Sequence, residues 1–468
     1  MKVFNKDFPY QVGLVIFIFS ALCGNLSPVV VNNFVDPVPV FTVRGSTISL
    51  LPKKLEEQSA LFSFNISPYT QITKSCYNDQ SAEVTSLGAR VGPWGMGAMG
   101  LGLISNYSAN ANSSTFTSVY GDVTKFPTFW SQTKDKYASL LSVNYPKRTY
   151  LYYDVDFEYE KVGIRSELAC EPAEGFVVSL QGGVCDHKAG NLQFYDPTTP
   201  GVPYVEGSGQ TDTTVAAFMT TLWRELYLSE LNMDAKGYQS MELDDFTFQL
   251  AAYYPVFGTE EDVRLVPRAT VGIIIPGDTI LKKKKLSTDK DNVLQGLLPV
   301  GNEGFTGFFV EGAACLDFKN TVNMTLAAGY TIFKERAIAD HRIPNNQYQC
   351  ILYPFTQNVT KKRGDTWYLS ASMYAQDFVE GMQAYIDYSW TVHRRDTITL
   401  DVAANLPIFK EGLPVLERLS EFRVGTANLG LVYKMAKNIE AGASVQVVLH
   451  GFQVFKPYTF MGSLSIVF

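Results

Sequence analysis

The chain has 468 residues, a formal net charge of -7, and 46% hydrophobic, 18% charged and 13% aromatic residues. That length suits two or three ordinary domains or one large barrel. The mean hydropathy is -0.01, and no apolar run is long enough to cross a bilayer as a helix, which excludes a helical membrane protein. A membrane barrel stays open, because alternating lipid-facing and inward residues average to neutrality in any window. The acidic balance argues against a nucleic-acid partner.

Lys2 and Lys6 precede the apolar run Val12 to Leu22, and Gly24, Asn25 and Ser27 follow. A basic flank, a short apolar core and small residues behind it are the pattern of an export signal, so residues 1–23 are expected to be a signal peptide. Residues 24–58, with Pro37-Val38-Pro39-Val40, show no period and are expected in the periplasm or the lumen. Cys76, Cys170, Cys185, Cys315 and Cys350 lack metal-site spacing and read as isolated thiols, with Cys76 and Cys350 as the pairing that loops allow. No cofactor or metal is expected.

From residue 59 onward the dominant signal is period two. In Thr149 to Lys161, Leu151, Tyr153, Val155, Phe157 and Tyr159 alternate with Asp154, Asp156, Glu158 and Glu160. Asp245 to Tyr254, Thr321 to Phe333 and Gln383 to His393 alternate in the same way. These runs have about ten to twelve residues, the length of a tilted membrane strand. Thirteen such segments are found, starting near Ser59, Tyr150, Val162, Gly175, Met241, Arg264, Gly304, Thr321, Trp367, Met382, Val424, Ile439 and Tyr458. Bacterial barrels have an even count. The expectation is an all-β transmembrane antiparallel barrel over 59–468 of about fourteen strands, with a hidden partner for the Ser59 strand near Val84 to Leu103. Twelve strands plus an amino-terminal plug is the alternative. Short connections at Lys319 to Asn320, Gln376 to Gly381 and Ala436 to Asn438 sort to one end, and long ones such as Lys334 to Asp365 to the other. Helical spacing predicts a helix over 214–231 within a long loop, and a second over Leu413 to Phe422.

The last segment sets Tyr458, Phe460, Leu464, Ile466 and terminal Phe468 on one face, with Thr459, Ser463 and Ser465 on the other. In this the chain resembles Gram-negative outer-membrane barrel proteins of the porin-like sort, without the motif of any one family. The resemblance implies an outer-membrane location, lipid around the barrel, and recognition of Phe468 by the insertion machinery.

If the apolar faces meet lipid, the opposite faces line the lumen. The candidate pore-lining residues are Asp154, Asp156, Glu158, Arg165, Glu167, Asp245, Arg264, Arg268, Glu311 and Asp387. Unlike charges facing each other across a narrow wet channel would screen small polar solutes. Ion pairing within a filled barrel is the other reading of the same residues. Lys282 to Lys285 read as a solvated loop. His393 and Asp396 are too close along an extended segment to suggest catalysis, and no enzymatic role is expected. The leading function is passive diffusion of small hydrophilic solutes, with a plugged carrier for a hydrophobic substrate or a surface adhesin as alternatives.

Overall fold

The computed structural model describes residues 62–85, 152–195, 237–254, 263–277, 304–343, 355–401 and 412–467, apart from single positions and a few isolated short pieces. The expected signal peptide, the 24–58 segment, the 214–231 helix, the Lys282 to Lys285 run, Cys350 and Phe468 lie outside the described residues.

Twelve strands form one closed antiparallel circuit. They are β1 (Phe62–Tyr77), β2 (Tyr152–Ala173), β3 (Phe176–Tyr195), β4 (Phe246–Tyr253), β5 (Val263–Ile275) and β6 (Gly307–Phe318). β7 (Val322–Phe333), β8 (Thr366–Val379), β9 (Met382–His393), β10 (Phe422–Ala436), β11 (Ile439–Phe452) and β12 (Val454–Val467) complete it. Each strand pairs with its sequence neighbours, and β12 closes back on β1 from Ser63↔Val467 to Tyr77↔Val454. A closed circuit leaves no unpaired edge, the condition for a sheet to sit in lipid.

The strand count is twelve, and the even number comes from a merger. The segments read as starting at Tyr150 and Val162 are one strand, β2. β1 needs no hidden partner near Val84 to Leu103, because it pairs directly with β2 from Phe62↔Cys170 to Thr73↔Tyr159.

Outward positions are apolar and exposed, as with Val162, Ile164 and Leu168 on β2, Val310 on β6, Leu326 on β7 and Leu429 on β10. Inward positions are buried, many of them small or polar, as with Asn65, Gln71, Ser179, Thr247, Thr325, Thr459 and Ser463, and others aromatic or apolar, as in the cluster of Tyr69, Tyr374, Tyr385, Val432 and Met461. An apolar surface turned outward around an interior rich in polar groups is the inverse of a soluble protein and the arrangement of an outer-membrane barrel. The faces expected for Asp245 to Tyr254, Thr321 to Phe333 and Gln383 to His393 are the faces found.

The connections sort by length. One end carries tight turns, including Gly175 (φ 76°) between β2 and β3 and Gly381 (φ 72°) between β8 and β9. Both glycines sit in the left-handed region that a side chain disfavours. The other end carries the long loops, broken only by the β11–β12 hairpin, which turns on Gln453 (φ 52°). Above that end, Arg336–Ile343, Phe355–Lys362 and Thr397–Leu400 form a three-stranded sheet. Helix α1 (Gly412–Ser420), close to its expected place, packs on it through Leu413 against Val359 and Ile398.

Candidate functional site: the polar inner wall

Because strand residues alternate, one parity of each strand furnishes the inner wall. On β2 that parity is odd, and it carries Lys161, Arg165, Glu167 and Glu171, all buried. The neighbouring wall adds Cys185 and His187 from β3, and Asp244 lies just before β4. Asp244 is the hub. Its Oδ2 accepts from Arg165 Nε at 3.1 Å, and Lys161 Nζ stands 3.9 Å from its Oδ1. Cys185 donates its thiol to Oδ1 at 3.4 Å, while Cys185 Sγ lies 3.1 Å from His187 Nε2. Tyr159 OH meets the other ring nitrogen, His187 Nδ1, at 2.9 Å. The Arg165 guanidinium also lies over the Tyr69 ring, 5.9 Å from its centroid. Two cations around one buried carboxylate compensate its desolvation, which an isolated carboxylate could not bear.

A second ion pair lies on β5 and β6. Arg268 Nη2 contacts Glu311 Oε1, and Tyr368 OH from β8 donates to Glu311 Oε2. The remaining arc, from β7 round to β1, presents hydroxyls and amides interleaved with aromatic and apolar side chains such as Tyr374, Tyr385 and Val432.

The structure separates the expected pore-lining residues. Arg165, Glu167, Asp245, Arg264, Arg268, Glu311 and Asp387 have the inward parity of their strands or, for Asp245, of the approach to β4, where its Oδ1 accepts from Gly277 N at 3.2 Å. Glu158 corrects the sequence reading. It is exposed, and between it and Arg165 the strand runs without a register shift, so the odd-numbered Arg165 and even-numbered Glu158 take opposite faces. Its neighbours Phe157 and Tyr159 turn inward instead, against Phe455. Asp156 lies at a register shift, where its Oδ1 accepts from the backbone N–H groups of Leu87 and Phe157 at 3.1 and 2.9 Å. The side chain of Asp154 lies outside the described residues. The pairing geometry also differs from charges opposed across a lumen. Arg268 and Glu311 meet along the wall on adjacent strands, and Arg165 reaches Asp244 over Gly183 of the intervening β3.

Lys161, His187 and Asp244 are not among the residues expected to line the pore, and Cys185 reads in the sequence only as an isolated thiol. One signal was present: Lys161 shares the parity of Arg165 and Glu167, four residues before Arg165.

At the long-loop rim a third cluster brings His393 and Asp396 together, contrary to expectation, because the chain turns between them. His393 Nε2 lies 3.2 Å from Asp396 Oδ1, and its Nδ1 lies 2.8 Å from Thr366 Oγ1. Lys361 Nζ pairs with Asp396 Oδ2 at 3.0 Å, and Gly364 N donates to Oδ1 at 2.8 Å. Burial alone would push the Asp396 carboxyl above its ordinary pKa, but Lys361 foremost, then the His393 hydrogen bond, hold it well below the usual carboxylate range. Thr366, His393 and Asp396 are all buried. Their contacts tie the loop sheet to the barrel, helped by Asp396 N donating to Ser420 Oγ of α1 at 2.8 Å.

No protein-family model matches the chain, and no curated protein sequence does. Among solved structures, an outer membrane channel from Pseudomonas putida F1 is similar at 8% identity and a TM-score of 0.43, covering 88% of this chain and 96% of that one. A mutant of the TodX monoaromatic hydrocarbon channel gives 8% and 0.34 over 91% and 94%. The translocator domain of the autotransporter NalP from Neisseria meningitidis gives 8% and 0.32 over 90% and 95%. These are likenesses of barrel architecture.

Proposed function

We propose that this outer-membrane barrel is a narrow channel for small hydrophilic solutes. The observation that carries the reading is the inner wall: hydroxyl, amide and paired ionic side chains line it from Ser465 and Asn65 near the short-turn end to Gln71, Thr459 and Lys161 further along. A wall that offers hydrogen bonds to a passing solute lowers the cost of stripping its water, which an apolar wall cannot do. A carrier for hydrophobic substrates would need an apolar pocket, whereas the apolar inward residues Tyr69, Tyr374, Tyr385, Val432 and Met461 pack on one another. The burial of these side chains favours a tight passage over a wide aqueous pore.

By the general rule for such barrels the short turns face the periplasm and the long loops the exterior. Outer-membrane lipid contacts the apolar belt in this reading, and Phe468 is the handle for insertion. No catalytic step is assigned. The test is conductance of the purified full-length protein in a planar bilayer. Discrete steps, with passage of small polar solutes into proteoliposomes, are the expected result. A folded barrel that passes neither ions nor solutes would overturn the proposal.

A further inference from the structure

The inner wall is not uniform. Its buried cations are engaged on one side, Arg165 and Lys161 with Asp244, and Arg268 with Glu311. On the other side a row of polar side chains crosses seven consecutive strands, each residue the direct register partner of the next. It runs Gln71, Thr459, Gln446, Asn428, Asp387, Ser372 and Thr325, from β1 backwards round the barrel to β7.

Directly opposed inward residues on neighbouring strands have side chains about 5 Å apart, so the row is a continuous track. Its chemistry is biased. Gln71 spends an amide N–H on Thr459 Oγ1 at 2.9 Å, which turns its carbonyl oxygen to the other side. Among the described residues, that oxygen, Asn428 Oδ1 and Thr325 Oγ1 are buried without a hydrogen-bond partner. Gln71, Asn428 and Thr325 are 0%, 4% and 3% exposed. A buried acceptor left unmatched is costly, and any group that brings a donor to it recovers that cost. Two amide oxygens and the Asp387 carboxylate on one track make it rich in acceptors, attractive to donors and unfavourable to anions.

We infer that this track is the solute-binding wall of the barrel and that it selects neutral polyhydroxylated solutes, small polyols and sugars, over anions of the same size. The inference rests on the channel reading and names its substrate class. Each solute hydroxyl donates to one acceptor and accepts from a neighbouring threonine or serine hydroxyl, so the solute exchanges partners rung by rung.

The probes are sorbitol and gluconate, which differ in one terminal group, a primary alcohol against a carboxylate. Entry into proteoliposomes containing the full-length chain is followed by swelling. Sorbitol is expected to enter faster than gluconate. Asn428→Leu, close in volume but without hydrogen-bonding atoms, should lower the sorbitol-to-gluconate ratio about three- to tenfold, the value of one hydrogen bond. Gln71→Met should do the same and serves if the first variant does not fold, as judged by heat-dependent gel mobility. An unchanged ratio in the folded variants, or equal entry of the two solutes in the parent, overturns the inference.

If the parent passes neither solute, the channel reading fails separately, and saturation-transfer NMR of sorbitol with the detergent-solubilised barrel decides the track. Transfer that is lost in Asn428→Leu supports it. Absence of transfer in the parent overturns it.

Discussion

The two halves of β2 carry the same alternation with opposite meaning. From Val162 to Leu168 the outward residues are apolar, Val162, Ile164 and Leu168, and the inward ones are Gly163, Arg165 and Glu167. Before Lys161 the outward residues are Glu158 and Glu160, and the inward ones Phe157 and Tyr159. The neighbouring strand changes at the same level: Val184 gives way to Asp186 and Lys188, with Lys188 opposite Glu160 across the ladder. The backbone parity never changes, so the solvent outside does. The lower half faces hydrocarbon and the upper half faces water, which places the membrane boundary near Val162 and Val184. The upper hairpin, flanked on β3 by the short strand Tyr238–Leu243, thus behaves as a water-facing sheet with an aromatic interior and a charged exterior.

Cutting the element that the two halves share should have the largest effect. The inner wall runs through the boundary, and Arg165 and Lys161 grip Asp244 on either side of it. Arg165→Met leaves Asp244 buried with its closest cation gone and should destabilise the barrel by about 3 to 5 kcal/mol, read as a lower unfolding midpoint in denaturant. Exposed charges test the boundary itself. Leu168→Arg puts a cation in the lipid belt and should cost about 2 to 4 kcal/mol, whereas Glu160→Arg, above the boundary, should stay within about 0.5 kcal/mol. Equal costs at the two sites would put the boundary elsewhere. A smaller effect is expected for Gly329→Ala on β7. Its Cβ would land in the Tyr368 ring, which is buried and hydrogen-bonded to Glu311. Overpacking there should cost about 1 to 3 kcal/mol, with weaker retention of the Arg268 to Glu311 pair as its companion.

The same comparison shows what the sequence makes legible. Period, strand length and loop sorting follow from local residue choice, so the barrel, its orientation of faces in β4, β7 and β9, and helix α1 were readable. The sign of a face depends on its surroundings, and period two is silent about that. For β2 the change of surroundings mimicked a strand boundary: the apolar set passes from odd to even between Tyr159 and Val162, and one strand of 22 residues was counted as two. That splitting also separated Glu158 from Arg165 and put both on the inner wall. Partners far apart in the chain were out of reach for another reason. Asp244 meets Arg165 across 79 residues, and Asp396 meets Lys361 only because the loop strands pair, neither of which local pattern encodes.

Acid should distinguish the water-facing region from the belt, with the mildest effect on the barrel itself. Asp396 holds the loop sheet through Lys361, His393 and the Gly364 N–H, and Glu421 accepts from Arg395 and Arg423 at 2.8 and 3.0 Å. Both carboxyls are held below their ordinary values. For each, burial opposes the shift, and for Glu421 the hydrogen bonds from the two arginines overcome it. A carboxylate whose folded value is depressed contributes stability above its unfolded value, about 4, and loses it as pH falls through the folded one. Between pH 7 and 5 the loop sheet should therefore be unchanged, and below about pH 4 it should loosen while the belt strands hold. Amide hydrogen exchange at pH 6 and pH 3, corrected for the intrinsic rate, should show protection lost in 355–362 and 397–400 and kept in 322–333. Loss of protection in both regions together would mean that the loop sheet and the barrel unfold as one unit, and that the boundary drawn on β2 does not divide their stability.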